Sequence, residues 1–168
     1  MRINRAVYAE QSPPEMRRAR TDSRLYLYFH ISLNEEHTFL HLGPGPGWVE
    51  EIDLGERVHH YILLTLARQR LADARRAIDV SGQGWLETGR LSTMLGLDPA
   101  HLNIQLFRAR RQLAAALPEG CVPGPLLERR RGEIRLADLP FHITRGSVLE
   151  GEFDPEPGRL RVIGGKAM

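Results

Sequence analysis

The sequence predicts an α+β fold in which a strand-rich N-terminal third is followed by three helices and then by further strands. Three observations predict this class. Apolar and polar residues alternate from residue 25 to residue 33, which is the period of a strand. Between residues 56 and 117 the apolar residues recur instead at three- and four-residue steps, the period of a helix. Short strand-like runs return after residue 126.

The N-terminal strands are predicted to form an antiparallel β-meander. The alternating run at residues 25–33 predicts the first strand, and the polar residues 34–36 predict a turn. Residues 39–42 predict a second strand. The glycines and prolines of residues 43–47 predict a loop, because proline removes a hydrogen-bond donor and glycine adds backbone freedom. Residues 48–54 predict a third short strand.

Three helices are predicted in the middle of the chain. The first runs from about Glu56 to about Ala77, and a glycine-containing break follows it. Thr88 is expected to cap the short second helix, and Gly96 is expected to end it. The third helix occupies residues 98–117 and opens with an aspartate cap followed by proline. Its apolar stripe, expected to pack on the other helices, is Leu102, Leu106, Ala109 and Leu113.

The C-terminal part predicts a β-hairpin around a basic run. Strand-like residues precede and follow Arg129, Arg130 and Arg131, and residues 141–143 predict another strand. After Gly146 the charge balance becomes acidic. The predicted organisation is therefore a flexible basic N-terminal arm at 1–23, a domain at 24–146, and an acidic C-terminal tail or hairpin at 147–168.

Composition narrows the class of protein. The 168 residues carry a net charge of +2, and 22 of the 23 basic residues are arginine, which permits a nucleic-acid partner without requiring one. The single cysteine, Cys121, rules out an internal disulfide. No apolar run reaches the length of a membrane span, and the first residues do not resemble a secretory signal. We expect a cytoplasmic protein with no membrane partner.

Enzyme motifs and cofactor sites are not found. The chain has no phosphate loop, no dinucleotide fingerprint and no nucleophile elbow. His59 and His60 are adjacent, so they point in different directions on a helix and do not make a metal pair. His37 and His41 share a strand face but lack a third ligand. We expect no catalysis, no cofactor and no metal.

The order of the elements predicts a winged helix-turn-helix protein, and several stretches resemble the DNA-binding effector domain of the OmpR/PhoB family. Arg108-Ala109-Arg110-Arg111-Gln112-Leu113 is similar to the end of the family's recognition helix. The other similar stretches are residues 52–57, 62–67, 84–88, 102–106 and 128–136. The resemblance covers about residues 24–137. The chain has no room for the family's receiver domain, and it is also similar to winged helices found in bacterial forkhead-associated signalling proteins.

The resemblance implies a DNA-binding transcriptional regulator whose partner is double-stranded DNA. The helix at 98–117 would enter the major groove, and the turn at 129–132 would form the wing that follows the phosphates. The candidate contacts come from two sources. A helical wheel assigns the outward face of the third helix independently of the resemblance, and the basic run assigns the wing. These are His101, Asn103, Ile104, Phe107, Arg108, Arg110 and Arg111 on the helix, and Arg129, Arg130 and Arg131 in the wing.

Two other interpretations remain open. Ile104 and Phe107 can contact thymine methyl groups, but an exposed apolar pair is equally typical of a helix that docks on a protein. The alternative function is therefore a winged-helix interaction module in bacterial signalling, with a signalling protein or a second copy of the chain as partner. The arginines can also be a solvated face near a helix C-terminus, where cations are favourable.

Overall fold

The computed structural model describes residues 25–43, 51–117 and 124–156, which form an α+β fold. The predicted arm at 1–23, Trp48 and Cys121 lie outside these residues. The described part contains three α-helices, eight strands and a short 3-10 helix. In chain order these are β1 (Tyr26–Ile31), β2 (Thr38–Gly43), β3 (Ile52–Glu56), α1 (Val58–Arg75), the 3-10 helix (Val80–Gly82), β4 (Leu86–Glu87), α2 (Thr88–Leu95), α3 (Pro99–Ala116), β5 (Leu127–Arg130), β6 (Glu133–Leu136), β7 (Phe141–Arg145) and β8 (Val148–Phe153).

A five-stranded mixed sheet has the order β3-β2-β1-β7-β8. Its first three strands pair antiparallel, which confirms the predicted meander. The sheet then extends beyond that prediction, because β7 pairs with β1 in parallel and β8 pairs antiparallel with β7. Strands from both ends of the described chain therefore share one sheet.

A second sheet has three strands in the order β4-β6-β5. Strands β5 and β6 form the predicted basic hairpin, and the two residues of β4 pair with β6. The turn is shorter than the predicted 129–132, since Arg129 and Arg130 are paired strand residues. Only Arg131 and Gly132 form the turn, and Gly132 adopts a φ of 71° that favours glycine.

The helix boundaries agree with the predictions except at the start of α2. Helix α1 is two residues shorter at each end than expected. Thr88 is not the cap of α2 but its first helical residue, and Glu87 occupies the cap position. The Thr88 N–H donates to the Gly132 carbonyl at 3.0 Å. Gly96 ends α2 with a φ of 66°, and Asp98 caps α3, both as predicted.

The core is one apolar cluster between the sheets and the helices. The predicted stripe of α3 is buried in it together with α1 and α2 residues, which confirms the predicted helical phase. Leu33, which continues the alternation of β1 in the sequence, is instead 76% exposed, since the strand ends at Ile31. The buried helical residues of this cluster include Ile62, Leu63, Leu66, Leu91, Leu102, Leu106, Ala109 and Leu113.

Strand β8 is bound to the rest of the fold by side chains as well as by strand pairing. Phe153 is buried, and Glu150 forms an ion pair with Arg68 of α1 at 2.8 Å. Gly151 allows β8 to approach α1 closely, since a Cβ there would lie 2.2 Å from a methyl of Leu71. The predicted boundary between residues 146 and 147 falls in the turn between β7 and β8.

Candidate nucleic-acid interface

Helix α3 is fixed at its start by a side-chain cap. The Asp98 carboxylate accepts a hydrogen bond from the backbone N–H of His101 at 2.8 Å, and Pro99 occupies the first turn, where no N–H is needed. Only residues 96–98 separate this helix from α2. The short connection and the cap give α3 a defined starting point beside α2.

The face of α3 opposite the core carries the helix residues predicted from the sequence. The apolar stripe and Gln105 are buried, whereas all seven predicted contact residues are exposed. Ile104 is 49% exposed and Phe107 is 59% exposed. The exposed predicted residues are His101, Asn103, Ile104, Phe107, Arg108, Arg110 and Arg111. The face thus combines two apolar side chains, an amide, an imidazole and three guanidinium groups.

Most exposed arginines of this region have no acidic partner. The side chains of Arg108, Arg110 and Arg111 make no hydrogen bond or ion pair with any residue that the structure describes. The same is true, within the described ranges, of Arg90 on α2 and of two residues of the β5–β6 hairpin. We call these six residues the unpaired arginine set: Arg90, Arg108, Arg110, Arg111, Arg129 and Arg131.

Elsewhere in the described chain, five arginines are paired with carboxylates, whereas the exposed Arg57, Arg75 and Arg76 are not. Arg68 contacts both Glu35, at 2.6 Å, and Glu150. Arg70 is fully buried and pairs with Asp138. The other arginines paired with carboxylates are Arg130, Arg135 and Arg145. The chain has 21 acidic side chains, so a shortage of carboxylates does not explain the unpaired arginine set.

Arg130 does not have the free guanidinium that the sequence suggests. Its Nε donates to the Glu133 carboxylate at 2.9 Å, and its guanidinium carbon lies 4.2 Å from the centre of the Trp85 ring. Arg130 therefore stabilises the hairpin against the segment before β4. Of the three arginines predicted for this turn, Arg129 and Arg131 remain available to a ligand.

Trp85 and Arg135 stabilise the base of the hairpin. The Arg135 guanidinium also lies over the Trp85 ring, at 4.5 Å, and donates to the carbonyls of Val80 and Gln83. Trp85 in turn donates from its indole N–H to the carbonyl of Ser81 at 3.0 Å. Trp85 is therefore a packing residue of the hairpin. Sequence reasoning did not identify Arg135, since a buried arginine on a strand has no local signature.

The hairpin is joined to α2, and α3 is joined to α1 and β3. The bond from the Thr88 N–H to the Gly132 carbonyl fixes the hairpin turn at the start of α2. Arg90 lies two residues further along α2 and is exposed, and only its charge could have marked it as a candidate. Gln112 of α3 accepts from two buried histidines of α1 and donates to β3 at the carbonyl of Leu54.

Three other features could indicate a function: a metal site, a cavity and a membrane-spanning helix. No group of three or more potential metal ligands occurs among residues 25–43, 51–117 and 124–156. A cavity of about 520 Å³ lies between the β1–β2 turn and the first turn of α1, but it shares no residue with α3 or the hairpin. In the same described ranges, no helix is both long enough and apolar enough to span a bilayer.

Comparison of the chain with protein-family models, with curated proteins and with solved structures finds no significant match. The function must therefore be argued from the residues and geometry of this chain. The observation with the most chemical content is the unpaired arginine set on α2, α3 and the β5–β6 hairpin.

Proposed function

We propose that the chain is a winged helix-turn-helix protein that binds double-stranded DNA and regulates transcription. In this proposal α3 is the recognition helix and the β5–β6 hairpin is the wing. The single observation that carries it is the unpaired arginine set, six exposed cations without acidic partners. Arginine guanidinium groups bind phosphates and can read guanine by paired hydrogen bonds, so a polyanion is the partner that this surface suits.

The geometry of the supporting contacts favours the same interpretation. The hairpin is hydrogen-bonded to the start of α2 and packs against Trp85, and these contacts support the turn that carries Arg131. The exposed face of α3 offers Asn103 and Arg108, which are side chains that form base-specific hydrogen bonds in the major groove. Arg110 and Arg111 extend that face towards the C-terminal half of the helix.

One specific observation favours a second candidate, a protein-interaction module in bacterial signalling. Ile104 and Phe107 expose about half of their surface on the same face of α3, and Met94 at the end of α2 is 54% exposed. Exposed apolar residues of this kind mark protein contacts more often than isolated surface residues do. In that case Phe107 would be the energetic centre and the arginines a polar rim.

A binding titration with matched variants separates the two functions. Duplex DNA is titrated at two salt concentrations with the parent chain and with Arg108→Ala, Arg111→Ala and Phe107→Ala. If α3 reads DNA, each arginine variant weakens binding by about 1–3 kcal/mol, and Phe107→Ala has a smaller effect. Arg145→Ala is the control, because that arginine lies on β7 and pairs with Glu35. Equal weak binding by all variants and the parent would contradict the DNA-binding proposal.

The two central arginines of the hairpin provide an internal comparison in the same titration. Arg131→Ala removes a free guanidinium, so the slope of log affinity against log salt should fall by about one unit. Arg130→Ala removes a group already bound to Glu133 and Trp85, so its effect should be on the stability of the hairpin and not on the salt slope. The opposite order would show that Arg130 leaves Glu133 to contact phosphate.

A further inference from the structure

Two adjacent histidines of α1 converge on one side chain of α3, so the prediction that they point in different directions is wrong. His59 and His60 both place Nε2 at 2.7 Å from Oε1 of Gln112, and their rings lie edge to face with centres 4.8 Å apart. Gln112 also donates from Nε2 to the backbone carbonyl of Leu54 in β3, at 2.9 Å. Both imidazoles are buried. One amide thereby links α3 to α1 and to the five-stranded sheet.

The hydrogen bonds fix the protonation state of both rings. Because the Gln112 amide N–H group donates to Leu54, its oxygen faces the histidines and can only accept. Each imidazole must therefore donate from Nε2, which leaves Nδ1 unprotonated in the neutral ring. An added proton must go to Nδ1, and in His60 that atom is buried and lacks a hydrogen bond from the protein.

The surroundings of the pair oppose a positive charge. Burial lowers the pKa of both histidines. This outweighs the raising effect of their hydrogen bonds with Gln112 and, for His60, of a hydrogen bond with the Gly55 backbone. The charged groups that act on the pair are cations: Arg57, which precedes α1, affects both rings, and Arg108 of α3 affects His59. His59 also lowers the pKa of His60, so a first proton on the pair disfavours a second.

We propose that His59, His60 and Gln112 form a proton-sensitive clamp that holds the C-terminal half of α3 against α1 and β3 while both rings are neutral. Protonation of either imidazole places a charge among buried groups beside Arg57 or Arg108, and this loosens α3 before the rest of the fold. The clamp acts whichever ligand α3 binds, so the proposal does not depend on the DNA-binding function.

The sign of the pH effect follows from the direction of the pKa shifts. Unfolded histidines titrate near pH 6.5, whereas the folded pair resists protonation to lower pH. The stabilisation is complete above about pH 6.5 and is lost as the pH falls from there towards the folded values. In that window each histidine that stays neutral in the folded state should increase the unfolding equilibrium constant by up to about tenfold for each pH unit of acidification.

The experiment measures urea unfolding of the full chain between pH 7.5 and pH 5.5. The parent is compared with the double variant His59→Gln, His60→Gln, whose amides keep a hydrogen-bond donor but do not titrate. His101→Gln is the matched control, an exposed histidine on α3. We expect the double variant to lose much of the pH dependence and the control to keep it. A pH profile of the double variant equal to that of the parent overturns the proposal.

Two measurements keep the test decisive if the double variant does not fold. In the parent at pH 7.5, imidazole nitrogen spectra should show the Nε2–H tautomer for both histidines, and an Nδ1–H tautomer for either one overturns the clamp. On acidification, hydrogen-exchange protection should fall at residues 109–116 before it falls in α1. Simultaneous loss of protection in both helices would show that no local release occurs.

Discussion

Leu106 and Ile104 lie two positions apart on α3 and have opposite environments. Leu106 is 1% exposed in the apolar cluster, whereas Ile104 is 49% exposed. Leu106→Ala should cost about 2–5 kcal/mol of unfolding free energy, because it leaves a cavity among residues that cannot fully collapse. Ile104→Ala, the matched control, should stay within about 0.5 kcal/mol of the parent. Denaturant unfolding measures both, and a larger loss for Ile104→Ala would mean that the orientation of α3 is wrong.

At the scale of residues, the sequence predicts exposure better than it predicts pairing. Helical spacing is local, so it correctly placed Leu102 and Phe107 on opposite faces of α3. It treated the three hairpin arginines alike, although Arg130 is bound by Glu133 and Trp85. That difference depends on strand register and on Trp85, 45 positions earlier in the chain, and neither has a signature in the arginine run itself.

At the scale of elements, the two helix caps provide a comparison. Asp98 accepts a hydrogen bond from the first turn of α3, whereas Glu87, at the same position before α2, makes no side-chain cap bond. Asp98→Ala should therefore cost about 1 kcal/mol, and Glu87→Ala should have almost no effect. Thermal unfolding at one pH compares the pair. Equal losses would indicate that the carboxylates act through charge at the helix starts and not through the hydrogen bond.

The start of α2 shows where prediction of elements from local sequence ends. Threonine is a favoured cap residue, and this predicted a cap at Thr88. In the structure Glu87 occupies the cap position and Thr88 is the first helical residue, with its N–H donating to the Gly132 carbonyl. Gly132 lies 44 positions later, so a local residue preference carries no information about this contact.

At the scale of the whole molecule, the least predictable feature is the parallel pairing of β1 with β7. In the register of these strands Leu27 lies beside Phe141, more than a hundred residues later. Local alternation predicted both strands but cannot specify which strands become neighbours. The predicted tail at 147–168 was separated from the domain for the same reason, since its acidic composition was visible and its pairing with β7 was not.

Removal of residues 147–168 tests how far the described fold depends on β8. The deletion removes the strand paired with β7, the Arg68–Glu150 ion pair and the aromatic contact between Phe141 and Phe153, whose ring centres lie 5.1 Å apart. We expect the truncated chain to lose cooperative thermal unfolding, because the core would be open along β7.

Point variants separate the loss of core packing from the loss of chain. Phe153→Ala should cost about 3–5 kcal/mol, because a buried ring is removed from the apolar cluster. Val148→Ala should have little effect, since Val148 is exposed at the other end of the strand. A truncated chain that melts cooperatively at the midpoint of the parent would show that β8 adds no stability and that the domain ends before residue 147.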